Sequence, residues 1–393
     1  MHVLIIPSWY PRKPGDINGC FFREQAIALR KHGCKVGVIY PELRSLRNWK
    51  SIFSEQNGIS SELDERVPTY RSKGMNWFPR TVTPALKLFV WHGLRLYARY
   101  VAEHGVPDVV HVHSLLNAGP LAAEIRKKYA VPFVVTEHSS AFARRLVSVT
   151  GLLIAQNVVS TASRKFAVSS AFAYLLDKSV GSENRSWEEM PNIVNERFCS
   201  FELRPNESKN FEFINVALMT ANKCQANILH AFSKISKVNP NIRLTLGGDG
   251  PVRSQLEQLA HDLGIAEKVK FTGMLTREQV LAAMAAADAF VLSSRYETFG
   301  VVVIEALALG KPVIATRCGG PESIVRKEDG ILILVDDVDA LAEAMIKMVE
   351  NRNDYDPAEI RKACSARFSE AAIAKRLMNT YADVVAVNAS GKQ

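Results

Sequence analysis

The sequence predicts an α/β protein with two doubly wound parallel sheets, one in each half of the chain. Short apolar runs of strand length alternate with amphipathic helical patterns through both halves. The alternation pauses in a polar stretch, 204–210, and restarts at Phe213. Turns rich in glycine and polar residues follow the apolar runs, the place where open α/β sheets bind ligands. A length of 393 residues suits two domains, and 47% hydrophobic with 23% charged residues supplies ample core for a soluble globular chain.

In the first half, Val3 to Ile6 reads as a buried strand, followed by a loop through Gly15 and Gly19. A glycine in such a loop lets backbone approach a phosphate or sugar closely. A helical pattern, Phe21 to His32, ends at Gly33, and Lys35 to Tyr40 is the second strand. Residues 42–82 carry Pro68, Pro79, Trp49, Trp77 and Phe78 without a firm period and are expected as helical pieces and a loop. Pro84 to Glu103 reads as a helix whose Leu86, Phe89, Leu94 and Tyr97 share one side, while Lys87, Arg95 and Arg99 add charge. It suits a membrane surface or, as surface helices normally do, packing on the sheet. Strands follow at Asp108 to His113, Val131 to Thr136 and Phe166 to Ser169, with helices at Ala118 to Tyr129, Leu152 to Ser163 and Ala171 to Asp177. His138 lies just past a strand end beside Glu137, which suits hydrogen bonding to a substrate, and Arg144 and Arg145 follow as candidate phosphate or acceptor contacts.

Pro191-Asn192 marks a domain crossing, so residues 1–192 are expected as one domain and 193–368 as the other. The closing pattern, 369–393, is expected to return to the first. Second-half strands are expected at Phe213 to Leu218, Ile242 to Leu246, Val269 to Phe271, Ala289 to Leu292, Pro312 to Ala315 and Gly330 to Val335, with helices between them. Asp336-Asp337-Val338-Asp339 reads as a loop and helix cap.

Six cysteines lack metal-like pairing and read as reduced, buried thiols of a cytosolic protein. No eighteen-residue apolar run predicts a spanning helix, and Met1 to Ile6 reads as a strand rather than a signal peptide. The net charge of +9 is uneven: residues 1–195 hold 25 Lys and Arg against 15 Asp and Glu, the remainder 24 against 25. A basic first half favours anions, whether acidic lipid, a phosphorylated acceptor or nucleic acid; a merely solvated surface explains the charge equally well.

One stretch organises the second half. The run Ala289 to Leu292 ends in a polar turn carrying Glu297; Gly300 then admits a helical pattern with Glu305 on its second turn. Exposed helix amides attract a diphosphate. A loop carboxylate beside them can meet sugar hydroxyls, and a helix carboxylate can accept both hydroxyls of a ribose. On spacing alone, two solvated glutamates are the simpler reading. The surrounding series changes that: Gly248-Asp249-Gly250-Pro251, Phe271-Thr272-Gly273, Ser293-Ser294, Glu297-Thr298-Phe299-Gly300, Glu305-Ala306, Gly310-Lys311-Pro312 and Gly319-Gly320-Pro321-Glu322, in that order.

With Pro191-Asn192, Thr136-Glu137-His138 and the Gly19 loop, this series resembles the family-4 glycosyltransferases of GT-B architecture over nearly the whole chain. The resemblance implies two Rossmann-like domains facing a cleft. It also implies retaining transfer of a sugar from a nucleotide-sugar donor to a glycan or lipid-linked acceptor, in cell-surface polysaccharide or lipopolysaccharide synthesis. Glu297 would hold the transferred sugar, Lys223 the donor phosphates, and His138 would contact the sugar near the reacting bond. Glu305 would hold ribose, Gly19 would lie near the diphosphate, and Met274 where backbone meets the nucleobase. Gly248, Gly250, Thr298, Phe299 and Gly300 complete the donor side. The sequence departs from the family at two places: Leu218 stands where an arginine is usual, and Cys224 where a glycine is usual. Arg295 or a first-domain arginine is the candidate replacement for the missing cation.

No cofactor is expected, and no Asp-x-Asp at a sheet end requires a metal. A dinucleotide oxidoreductase would need Gly-x-Gly-x-x-Gly between a first strand and helix, which neither half has. A nucleic-acid partner is not expected, because no recognised module accompanies the basic half. A non-catalytic nucleotide-sugar-binding protein with a degenerate site is the alternative. The expected location is cytoplasmic, with peripheral attachment to the inner membrane face through the basic half.

Overall fold

A computed structural model describes residues 1–12, 16, 19–45, 58–78, 81–180, 187–202 and 210–390. Gly15, Trp49, Pro79 and most of the polar connector 204–210 lie outside the described residues. The chain divides into two compact units, Met1–Pro191 with Glu370–Gln393, and Asn192–Ser369.

The first unit contains β1 (His2–Pro7), α1 (Cys20–Lys31), β2 (Lys35–Arg44), β3 (Gly58–Asp64), β4 (Val67–Met75), α2 (Val82–His104), β5 (Val109–His113), α3 (Ala118–Tyr129), β6 (Phe133–Glu137), α4 (Val149–Thr161), β7 (Arg164–Ala167), α5 (Ser170–Val180) and β8 (Glu188–Glu189). Its sheet runs β3-β4-β2-β1-β5-β6-β7-β8, parallel except where β3 pairs antiparallel with β4. The strand order reverses between β1 and β5, so their carboxyl ends flank the crevice where ligands bind in this architecture.

Over 58–75 the β3–β4 hairpin stands where helical pieces or a loop were expected, while 46–57 and 79–80 of the stretch 42–82 lie outside the described residues. Its two-residue turn puts Glu65 at φ 47 and Arg66 at φ 68, the left-handed pair that matches the twist of the flanking strands. β3 is an edge strand with both faces largely exposed, so its sequence carries no alternation. α2 proves to be a packing helix: Phe89, Leu96, Tyr97 and Tyr100 are buried against the unit. Its outer stripe of Lys87, Trp91 and Arg95 is exposed, with the Arg95 guanidinium 4.7 Å from the Trp91 ring centre.

The second unit contains α6 (Glu196–Cys199), β9 (Phe211–Val216), α7 (Gln225–Ser236), β10 (Ile242–Gly247), α8 (Arg253–Asp262), β11 (Val269–Gly273), α9 (Arg277–Ala286), β12 (Ala289–Leu292), α10 (Val301–Ala308), β13 (Val313–Thr316), β14 (Gly330–Ile333), α11 (Val338–Glu350) and α12 (Pro357–Phe368). The sheet order is β11-β10-β9-β12-β13-β14, all parallel, with the reversal between β9 and β12. α7 and α11 supply Ile228, Phe232, Leu341 and Met345 to a core that also takes Phe213 and Leu244 from the sheet. Full burial of such side chains contributes about 1.5–3 kcal/mol each. Asp337 caps α11 by accepting from the Ala340 amide.

α13 (Glu370–Ser390) belongs to the first unit, where Leu377 and Tyr381 are fully buried in the core with Val3, Phe22 and Val109. None of the six cysteines is in a disulfide; four are buried, while Cys20 and Cys199 are half-buried. No helix among the described residues is long and apolar enough to cross a membrane.

Candidate active site

In the second unit the strand reversal builds the site. The loop after β9, which contains Lys223, is tied to the loop after β12, which contains Glu297. Ser293 Oγ donates to the carbonyls of Lys223 (2.8 Å) and Cys224 (3.0 Å). Asn222 Nδ2 donates to the Tyr296 carbonyl at 3.0 Å, and the Arg295 amide donates to the Asn222 carbonyl at 2.8 Å. The backbone of Glu297 is clamped from the other side, its amide on Cys318 O at 3.0 Å and its carbonyl accepting from the Gly320 amide at 2.9 Å. Both loops are therefore rigidly indexed to the sheet, and their side chains converge: Lys223 Nζ and Ser294 Oγ donate to Glu297 Oε1 at 2.5 and 2.7 Å.

Gly300 then caps α10, and Val303 closes the first turn on its carbonyl at 2.9 Å. Free amides at such a helix start favour anions. Thr298 is half-buried beside them. Phe299 is a correction: its ring is buried against Phe368, at a centroid distance of 5.9 Å, so it anchors the loop and presents no side chain to a donor. The apolar ring is worth more in the core than on a polar loop.

Glu305 is buried in α10, 1% exposed. Arg277, at the first position of α9, donates to its Oε1 at 2.6 Å; Oε2 has no hydrogen-bond partner among the described residues. Burial pushes the Glu305 carboxyl above its usual range, with Arg277 acting against the shift. Of the carboxylate expected to accept both hydroxyls of a ribose, one oxygen is taken by Arg277 and the other has no hydrogen-bond partner among the described residues. Arg277 was not singled out from sequence. The only local signal is the capping box of Thr276 and Gln279, which starts α9 there.

Gly248 and Gly250 lie where the loop after β10 crosses residues 217–219. A Cβ on Gly248, at φ +127, would stand 2.0 Å from the Ala217 carbonyl oxygen, so the close crossing itself requires glycine. Met274, just past β11, is 56% exposed. Leu218 is exposed and supplies no cation. Arg295, the proposed replacement, is held by Asp336, with Nε to Oδ2 at 2.8 Å. Cys224 occupies the left-handed region at φ 48, the conformation that explains why glycine is usual there.

In the first unit, Gly19 is the N-cap of α1, and the structure brings it near His138 through Phe22. The Phe22 ring packs 4.6 Å from His113 and 4.8 Å from His138. His138 Nε2 and His113 Nδ1 are hydrogen-bonded at 3.0 Å. Glu137 fixes the segment: its fully buried carboxylate accepts from Ser114 Oγ and the amides of Leu115, His138 and Ser139 at 2.6–2.9 Å. Behind them His111 bonds Tyr381 Oη at 2.6 Å and Thr136 Oγ1 at 2.8 Å. Burial pushes His111 down to about 3. The strand pattern Val-His-Val-His held the only hint of this buried polar row. Arg144 and Arg145 sit on the exposed turn after buried Phe142, and no ion pair engages either among the described residues.

Two family models match, "Glycosyl transferases group 1" over residues 200–367 and "Glycosyl transferase 4-like domain" over 20–192, between them nearly the whole chain. The chain is a GT-B glycosyltransferase. A relative matched along its full length is the putative teichuronic acid biosynthesis glycosyltransferase TuaC of Bacillus subtilis, 27% identical over 98% of this chain and 99% of its own. The lipopolysaccharide core biosynthesis glycosyltransferase LpsD of Rhizobium meliloti is 34% identical over 44% of this chain and 49% of its own. Among solved structures, HepE of Anabaena in complex with UDP superposes with a TM-score of 0.74 at 20% identity, covering 98% of the glycosyltransferase and 100% of HepE. That likeness establishes the fold of this glycosyltransferase.

Proposed function

We propose that this glycosyltransferase moves a sugar, with retention at the anomeric carbon, from a nucleotide sugar to a glycan or lipid-linked acceptor in cell-surface polysaccharide or lipopolysaccharide synthesis. One observation carries the reading: Lys223 and Glu297 meet at the strand reversal of the second unit, at the entrance to α10, with buried Glu305 in the same helix. Lys223 and the α10 amides would stabilise charge growing on the departing diphosphate, the largest electrostatic term open to such a site. Glu297 would hold the sugar and Glu305, through Oε2, a ribose hydroxyl. The backbone near Met274 would meet the base. In the first unit, Gly19 and His138 would lie on the donor's reacting side, and Arg144 and Arg145 on the acceptor's. The bond from the anomeric carbon to the diphosphate oxygen breaks as one forms to an acceptor hydroxyl, whose proton leaves with the diphosphate. Positive charge from the chain itself serves this scheme without a resident metal. TuaC, named for teichuronic acid biosynthesis, and LpsD, named for lipopolysaccharide core biosynthesis, support the acceptor class. HepE, solved with UDP-glucose, supports the donor class.

The test is a panel of nucleotide sugars scored for released nucleoside diphosphate, with Glu297→Gln as the control. Donor turnover abolished in the variant is expected; no turnover of any donor by the wild type would count against the reading. Exposed Leu218 and left-handed Cys224 favour a second reading, a nucleotide-sugar-binding partner without catalysis. Donor binding by calorimetry with no hydrolysis would select it.

A further inference from the structure

The first unit holds a groove of about 550 Å³, within the range of small-molecule sites, that the donor chemistry leaves unused. One wall is the start of α2 through Val82, Leu86 and Phe89; the other is the segment leading into α4 through Leu146, Val147 and Ile154. Its floor reaches Ser8 and Leu116, which follow β1 and β5 at the strand reversal. Among the described residues no charged residue lines it, and Ser8, Asn76, Asn117 and Ser148 are the hydrogen-bonding side chains beside the Tyr40 hydroxyl.

The apolar surface continues onto the rim. Val82 is 45% exposed and Leu146 63%, and the neighbouring Phe78, Val149 and Leu153 are exposed as well. Val149 and Leu153, one turn apart on α4, share one helical face, and Leu146 precedes them in the segment leading into that helix. A monomeric protein rarely leaves such a contiguous apolar surface without use. Two exposed arginines stand beside it. Arg144 and Arg145 stand on the turn between Ala141 and Leu146, both lining residues, and neither has an ion pair among the described residues. A slot lined by no charged side chain among the described residues, beside a turn that carries two exposed arginines, complements an amphiphile with a hydrocarbon chain and an anionic head.

We propose that this groove binds the hydrocarbon chain of a phosphate-linked amphiphile, with Arg144 and Arg145 on its phosphate. The proposal deepens the acceptor half of the function proposed above and rests on it for the acceptor's role. The occupant is a single amphiphile entering the groove, as distinct from a bilayer face lying against the rim.

The test is calorimetry of the full chain with dodecyl phosphate below its micelle concentration, hexyl phosphate and inorganic phosphate. Each methylene that enters the groove contributes several-fold, so dodecyl phosphate is expected to bind at least about 30-fold tighter than hexyl phosphate. Ala85→Trp fills the groove and is expected to weaken dodecyl phosphate at least tenfold. Leu146→Asp, at an exposed position that tolerates change, does the same should the bulky variant misfold. Arg144→Ser with Arg145→Ser is expected to weaken binding and flatten its salt dependence. Equal affinity for the two chain lengths, or binding only to anionic vesicles, would overturn the proposal, as would wild-type affinity in both groove variants. Donor turnover, measured on the same samples, reports the transferase reading separately: its absence beside a normal chain-length effect sinks that reading alone.

Discussion

Lys223 Nζ lies 2.5 Å from Glu297 Oε1, and both side chains are largely buried, 25% and 14% exposed. The two groups that would serve different parts of the donor are thus paired with each other before any donor arrives. A donor's phosphates would compete for the lysine, and the released carboxylate would turn to the sugar. Lys223→Ala is expected to lower kcat on the order of 100-fold, because its charge is needed as the leaving group departs. Steady-state kinetics decides: an unchanged kcat with only a raised donor KM would assign the lysine to ground-state binding.

Arg277 and Glu305 give a stability prediction. Removing the guanidinium strands a buried carboxylate, so Arg277→Ala is expected to cost about 3 kcal/mol in urea unfolding at pH 7. Adding Glu305→Gln should restore part of it, giving a double-mutant coupling above about 1 kcal/mol. Additive losses would show that the pair is uncoupled. The raised Glu305 carboxyl also sets a sign. From 4.5 up to its folded value the fold holds a proton that the unfolded chain has released, so its contribution to stability falls as pH rises through that window.

His111 acts in the opposite direction. Its folded value of about 3 lies below the ordinary 6.5 because the ring is fully buried. The unfolded chain gains a proton below pH 6.5 that the fold refuses, so stability is lost as pH falls from 6.5 toward 3. The loss is on the order of 3–5 kcal/mol across the window. His111→Gln should flatten this part of the pH–stability curve measured by chemical denaturation; an unchanged slope would move its origin elsewhere.

Cys224 sits at φ 48, a conformation that disfavours L residues by about 1–2 kcal/mol. Cys224→Gly removes that cost together with the packing of the buried thiol, so thermal unfolding is expected within about 1 kcal/mol of wild type, with donor affinity unchanged. Cys224→Val should lose several degrees in Tm, because a β-branched residue is hard to place there. A stable, active valine variant would contradict the strain.

The basic first unit is expected to bind anionic vesicles through the Lys87, Trp91 and Arg95 stripe and the Arg144–Arg145 turn, at on the order of 1 kcal/mol per engaged cation. Co-sedimentation should decline as salt shortens the screening length. Equal, negligible binding to anionic and neutral vesicles at low salt would remove membrane attachment and leave the transferase untouched.

The sequence determined by itself what local pattern can encode. Alternating apolar runs and helical periods specify two parallel α/β sheets, because strand and helix differ in the spacing of their buried residues. The glycines at positions 248 and 300 and the glutamates at 297 and 305 are legible as a series, since each occupies a fixed offset from a strand end. The β3–β4 hairpin was not legible, because an edge strand exposed on both faces leaves no alternation to read. Tertiary structure alone decided the partners. Lys223 meets Glu297 only because β9 and β12 are neighbours at the strand reversal, 74 residues apart along the chain. Arg277 reaches Glu305 across two elements, Phe299 turns inward to Phe368, and His111 finds Tyr381 from the returning α13. These pairings depend on which elements become neighbours. That is set by the packing of whole sheets and helices and written in no single stretch of sequence.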